Sequence, residues 1–177
     1  MDVILAEMTI HQRRRALHRM TKGLGLQDAC DTTLDRIRQQ GGSKSRTGME
    51  ALMWISHSER PLKSLELCHA LGVELGAEDF NTHNVPLIAT VLGCTLGLVT
   101  IDQEASKVRL LHFTLQEYIA QRPTLFVSAH SIMAETCLTY LNYRSIRALA
   151  PNIHNVPEST RFVEYATWFW GDHAARG

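Results

Sequence analysis

Between Lys63 and Lys107 the sequence contains no lysine and no arginine, yet that stretch carries Glu66, Glu74, Glu78, Asp79, Asp102 and Glu104. Such a segment cannot gain affinity for a phosphate backbone by releasing counterions. Over the whole chain 18 Lys and Arg balance 18 Asp and Glu. This excludes a strongly basic nucleic-acid binder and an acidic disordered tail as descriptions of the entire chain. The four cysteines, Cys30, Cys68, Cys94 and Cys137, form no C-x-x-C pair. They read as buried thiols of a reducing compartment. No apolar run approaches the ~18 residues of a membrane span, and Val3 to Ala6 is too short for a secretory core before Glu7 interrupts it. The expectation is a cytoplasmic protein with no membrane partner.

Three motif classes are missing as well. No G-x-x-x-x-G-K-[ST] occurs; Gly41-Gly42-Ser43-Lys44-Ser45 follows a helical pattern rather than a strand and reads as a connector. No H-E-x-x-H and no paired Cys/His zinc pattern occurs, so His57, His69 and His83 read as scattered surface histidines and no metal is expected. No G-x-S-x-G elbow surrounds Ser56-His57-Ser58. Glu66, Glu117, Glu135 and Glu164 fall on amphipathic patterns, where a solvated face is the ordinary explanation. The chain by itself is expected to have no catalytic residues and no cofactor.

What is present is a globular composition: 177 residues, 45% hydrophobic and 20% charged. Cys30, Leu34 and Ile37 recur at helical spacing within Gln27 to Gln40, and Gly41-Gly42 ends that helix. Thr47 to Ser56 reads as a second helix with Ala51, Leu52, Trp54 and Ile55 inside, broken at Arg60-Pro61. Ser64 is placed as the N-cap of a helix through Leu71, with Leu65, Cys68 and Leu71 inward. A further helix spans about Val85 to Leu96, almost wholly apolar and therefore requiring cover. Leu98 to Ile101 and Val108 to Phe113 flank a polar turn and predict a hairpin. Thr114, three residues before Glu117, is expected to cap the next helix. Three helices followed by a hairpin are the elements of a winged helix. Beyond Pro123, helices are expected at about Ser128 to Asn142 and Ser159 to Ala174, with an irregular link between Pro151 and Pro157. The consecutive Trp168, Phe169 and Trp170 cannot all face inward on one helix, so one of them is expected to meet a neighbour. The fold class expected is mainly α: a tri-helical core plus a β-hairpin, flanked by helical segments.

Specific strings then become familiar. Glu50 to Leu62, Glu66 to Glu74, Leu96 to Asp102, Val108 to Tyr118, Cys137 to Leu141, Glu164 to Ala166 and Trp170 to Ala174 resemble, in order, segments of fungal NACHT-type NTPases of the STAND class. These are similar to animal NOD-like receptors. The central part resembles the winged helix module named after GPI inositol-deacylase, a name that implies no deacylase chemistry here. The resemblance implies three parts: residues 1–42 as the end of a NACHT helical lid, 43–122 as the winged helix, and 123–177 as a helical bridge toward repeats. It implies partners too, namely a NACHT NTPase domain and ankyrin-type repeats, in cis or in trans, with self-association open. ADP or ATP would enter only through an upstream NACHT domain. By resemblance His112, in Leu111 to Tyr118, is the winged-helix histidine that contacts an ADP phosphate and holds the closed state. The Walker motifs and the repeat array are absent from these 177 residues, which therefore read as a fragment of a longer gene or a truncated relative.

The expected function is a non-catalytic module that couples nucleotide state to repeat-based sensing in non-self recognition or cell-death signalling. The alternatives are a DNA-binding winged-helix regulator, or a remnant that acts as an adaptor through protein contacts. The basic cluster Arg13 to Lys22 could touch phosphate, but it reads first as a solvated helix face or a domain contact.

Overall fold

A computed structural model of the chain describes residues 24–149 and 160–177. The basic cluster Arg13 to Lys22 and the Pro151–Pro157 link lie outside the described residues. Helix α1 (Leu24–Gln39) buries Cys30, Leu34 and Ile37 along one stripe, as their spacing requires. Helix α2 (Gly42–His57) starts almost at once, so the Gly41-Gly42 connector is shorter than the sequence suggests. Both glycines take positive φ, 71° and 51°, which turns the chain between the two helices without a Cβ clash.

Helix α2 is the centre of the molecule. Ala51, Leu52, Met53 and Trp54 are all buried in it. Its Gly48 faces the end of α4 (Ile88–Cys94) at close range. A Cβ there would stand 2.6 Å from the Cys94 carbonyl oxygen and 2.9 Å from the Ile37 side chain. Gln40 clamps the same carbonyl with its Nε2 at 2.8 Å. Gly48→Ala is therefore expected to force α1, α2 and α4 apart and cost about 1–3 kcal/mol, read as a lower urea midpoint at constant m. A neutral result would mean that these helices do not approach so closely.

Helix α3 (Ser64–Leu71) differs from the expected pattern in two ways. Its N-cap is Lys63, and the N–H of Lys63 donates to the Glu66 carboxylate at 2.7 Å. Its inward face runs through Glu66, Leu67, Cys68, His69 and Ala70, while Leu65 is exposed. Cys68 and Leu71 pack inward as expected, and neighbours cover the helix on a wider arc that leaves Leu65 outside. Helix α4 is also shorter than expected. Val85 and Pro86 lie in an extended link after a 3-10 turn at Thr82–Asn84, because proline biases the residue before it away from helix. Leu96 and Gly97 then take positive φ and swing the chain into the wing.

Strands β1 (Val99–Asp102) and β2 (Lys107–Leu110) pair antiparallel, with Val99 opposite Leu110 and Asp102 opposite Lys107. The hairpin is anchored to the segment before α3. Val108 N–H donates to the Leu62 carbonyl, and Ser64 N–H donates to the Ser106 carbonyl, both at 2.9 Å. Helix α5 (Phe113–Ala120) follows and buries Leu115, Tyr118 and Ile119. Tyr118 donates its hydroxyl to Asp31 on α1, and Arg122 pairs with the same carboxylate at 3.0 Å. This is the tri-helical core and wing expected from the sequence, with flanking helices.

Beyond a 3-10 turn at Pro123–Phe126, helices α6 (Ala129–Asn142), α7 (Arg144–Arg147) and α8 (Val163–Arg176) follow. The start of α6 meets the end of α8 and Tyr140 near its other end meets Phe162, so the two run antiparallel. Trp54 of α2 seats the pair: its ring packs edge-on against Phe162 at 5.4 Å and Tyr165 at 6.0 Å. Of the three consecutive aromatics, Trp168 and Trp170 are exposed and Phe169 packs against the core. Among the described residues no helix is long and apolar enough to cross a membrane.

Candidate functional site

The residue singled out for ligand contact, His112, stands where β2 runs out and α5 begins. It is the N-cap of α5, with extended backbone. Thr114, expected to be the cap, is instead the second residue of the helix. The His112 ring takes over the capping role: Nδ1 accepts from Thr114 N–H at 3.3 Å and lies 2.8 Å from Thr114 Oγ1. An accepting Nδ1 assigns the ring proton to Nε2. The imidazole is exposed beside a helix N-terminus.

A shallow groove of about 360 Å³ opens beside His112, and Ser56, Glu59, Arg60, Arg109, Phe113 and Gln116 are among the residues that line it. Gln116 is held by the Ser56 carbonyl at 2.9 Å. Two large apolar side chains flank the histidine on the surface, Leu111 at 63% exposure and Phe113 at 69%.

Arg60 is fixed from the other side. It makes a bidentate pair with Glu66, both bonds at 2.8 Å, and stacks over Tyr165 and Phe169. The Glu66 hydrogen bond holds the guanidinium pKa above its ordinary value. Glu66 is therefore no solvated surface acid, as its helical position suggested; only 1% of it is exposed. Glu117, Glu135 and Glu164 are exposed as expected.

The histidines also separate. His69 is a core residue, stacked on Phe80 at 5.1 Å with its Nδ1 3.1 Å from the Tyr140 hydroxyl. Burial lowers its pKa, so it stays neutral. His83 is exposed. His57 Nδ1 lies 2.8 Å from Ser56 Oγ, but that hydroxyl back-bonds to the Leu52 carbonyl at 2.7 Å, a local contact within helix α2. The four cysteines are free and buried, and burial pushes the Cys68 thiol up to about 11 and Cys137 to about 12. Such thiols stay protonated and inert. The helix that reads the major groove in DNA-binding winged helices corresponds to α4, and its exposed residues are Ala89, Thr90 and Gly93, preceded by Leu87. None offers a cation or an amide side chain to a base edge.

Sequence reasoning missed Glu66 as a buried partner and His130 and His173 as neighbours. The signal for Glu66 was the local Arg60-x-x-x-x-x-Glu66 spacing around a proline. No local signal links residues 130 and 173.

The GPI inositol-deacylase winged helix domain family matches residues 34–131, more than half of the chain. No curated protein and no solved structure matches it. The matched span runs from α1 through the wing and α5 into the first turn of α6, so α2, α3, α4, the hairpin and His112 are all inside it. The chain belongs to the GPI inositol-deacylase winged helix domain family.

Proposed function

We propose that this chain is a non-catalytic regulatory and interaction module of a cytoplasmic NACHT-type switch protein, acting between a nucleotide-binding domain and a downstream repeat array. The observation that supports it is the exposed His112, which accepts from Thr114 N–H through Nδ1 at a helix N-terminus between the exposed Leu111 and Phe113. With Nδ1 accepting, Nε2–H is the donor this ring can offer to a phosphate oxygen. The apolar pair around it suits burial against a partner domain. The proposed parts are the end of a helical lid through residue 42, the winged helix over 43–122, and a bridge over 123–177. Nucleotide state would then bias the packing of the winged helix against its neighbour and so the exposure of the sensor.

Two measurements test this. Sequencing the native transcript upstream of the Met1 codon is expected to reveal an in-frame P-loop. In the longer polypeptide, His112→Ala is expected to release a fluorescent ADP analogue about tenfold faster, the loss of one hydrogen bond to a charged group. Unchanged release in stopped-flow displacement would remove His112 from the site.

A further inference from the structure

Three side chains from distant parts of the sequence meet where α2 ends against the α6–α8 pair. Glu59 follows α2, His130 stands in the first turn of α6, and His173 lies in the last turns of α8. One ligand atom from each lies within 4.8 Å of the other two. The two imidazoles face each other through the same atom, Nδ1 to Nδ1 at 2.8 Å, with rings stacked 5.1 Å apart. His173 has no exposed surface, while Glu59 and His130 are partly open to solvent.

We infer that Glu59, His130 and His173 form a binding site for a divalent cation of the zinc type. Two imidazole nitrogens and one carboxylate are a borderline donor set, matched to zinc or cobalt rather than to calcium or magnesium, which take oxygen ligands. Ligands about 2.0–2.1 Å from a tetrahedral ion stand roughly 3.3 Å apart. The histidine nitrogens need to open by only about half an ångström, and the partly exposed His130 can supply that movement. The shell behind the ligands is already built. The Tyr165 hydroxyl sits 2.9 Å from His173 Nε2 and accepts from Glu59 N–H at 3.1 Å. With Nε2–H donated to Tyr165, the lone pair of His173 stands on Nδ1, facing His130, which is how outer partners orient a ligating histidine.

A positive charge already sits beside the carboxylate. Arg176 binds Glu59 through both guanidinium nitrogens, at 2.7 and 2.9 Å. Its side chain is 55% exposed and lies in the last turn of α8, so it can swing out to solvent. The metal ion and Arg176 compete for one carboxylate. A bound ion would clip the end of the winged helix's central helix to the α6–α8 pair, with a fourth position left for water.

The test is a cobalt(II) titration of the untagged chain after EDTA treatment and buffer exchange, read by visible absorption. One equivalent is expected to saturate the bands of a four-coordinate ion, and zinc is expected to bleach them. His130→Ala and Glu59→Gln should each weaken binding by at least about tenfold, with unchanged far-ultraviolet circular dichroism because both residues are partly exposed. Arg176→Ala should tighten it severalfold, an effect that loss of a structural brace would not produce. Absence of saturable binding, unchanged affinity in either ligand variant, or weaker binding in Arg176→Ala overturns the site.

Discussion

Trp54→Ala is expected to destabilise the chain by about 3–5 kcal/mol, the range for removing a buried large aromatic. Trp54 is 2% exposed and touches the α6–α8 pair through Phe162, Tyr165 and His173. Truncation leaves a cavity where the central helix of the winged helix packs on α8. Edge-to-face ring pairs add about 0.5–1.5 kcal/mol beyond the area buried, so Trp54→Phe should recover part of the loss. A single domain is stable by only about 5–15 kcal/mol, and the alanine variant should therefore melt near ambient temperature or populate a state with α6 and α8 detached. Urea unfolding followed by circular dichroism at the helix band measures the first outcome. Proteolysis between residues 120 and 129 reads out the second. A loss below about 1 kcal/mol would show that the helical pair is not seated on α2.

Glu66→Ala should be the next most damaging change, at about 3 kcal/mol. That is the lower end of the range for breaking a buried ion pair, because Arg60 keeps 27% of its side chain exposed and can be partly rehydrated. Two losses combine. Arg60 loses its bidentate acceptor, and the Lys63 N–H at the start of α3 loses its cap. Glu66→Gln separates them. The amide oxygen can still accept from Lys63 while the charge is gone, so the cost should fall to about 1–2 kcal/mol. The buried half of the pair is shielded from counterions, and the difference between the two variants should persist at high salt. Equal costs for Ala and Gln would assign the whole effect to the ion pair. A cost that vanishes in salt would mean that the pair is solvated.

Much of the architecture was legible because it follows from local chemistry. The Cys30, Leu34 and Ile37 stripe, the break at Arg60-Pro61, the glycine turn after α1 and the polar turn between Ile101 and Val108 are set by spacing and backbone preference. Family resemblance added the identity of the winged helix and pointed to His112. The errors share one cause. Glu66 looked like a surface acid because its partner, Arg60, comes to it only when the chain turns at Pro61. Leu65 looked inward and Thr114 looked like a cap because helical periodicity and cap spacing do not know what covers a helix or which neighbouring ring reaches an amide first.

The sequence by itself determined the order and type of the elements, the apolar stripes that join them, and the absence of Lys and Arg from Ser64 to Ser106 that leaves α4 without a phosphate-binding face. Each depends on residues within a few turns of one another. Only the tertiary structure decided that Trp54 would bind the helical pair, that His69 and Glu66 would be buried with partners, and that Glu59, His130 and His173 would converge. Those contacts join residues up to 119 positions apart, as with Trp54 and His173. Their free energy appears only when the chain has closed those loops, so no local pattern carries it.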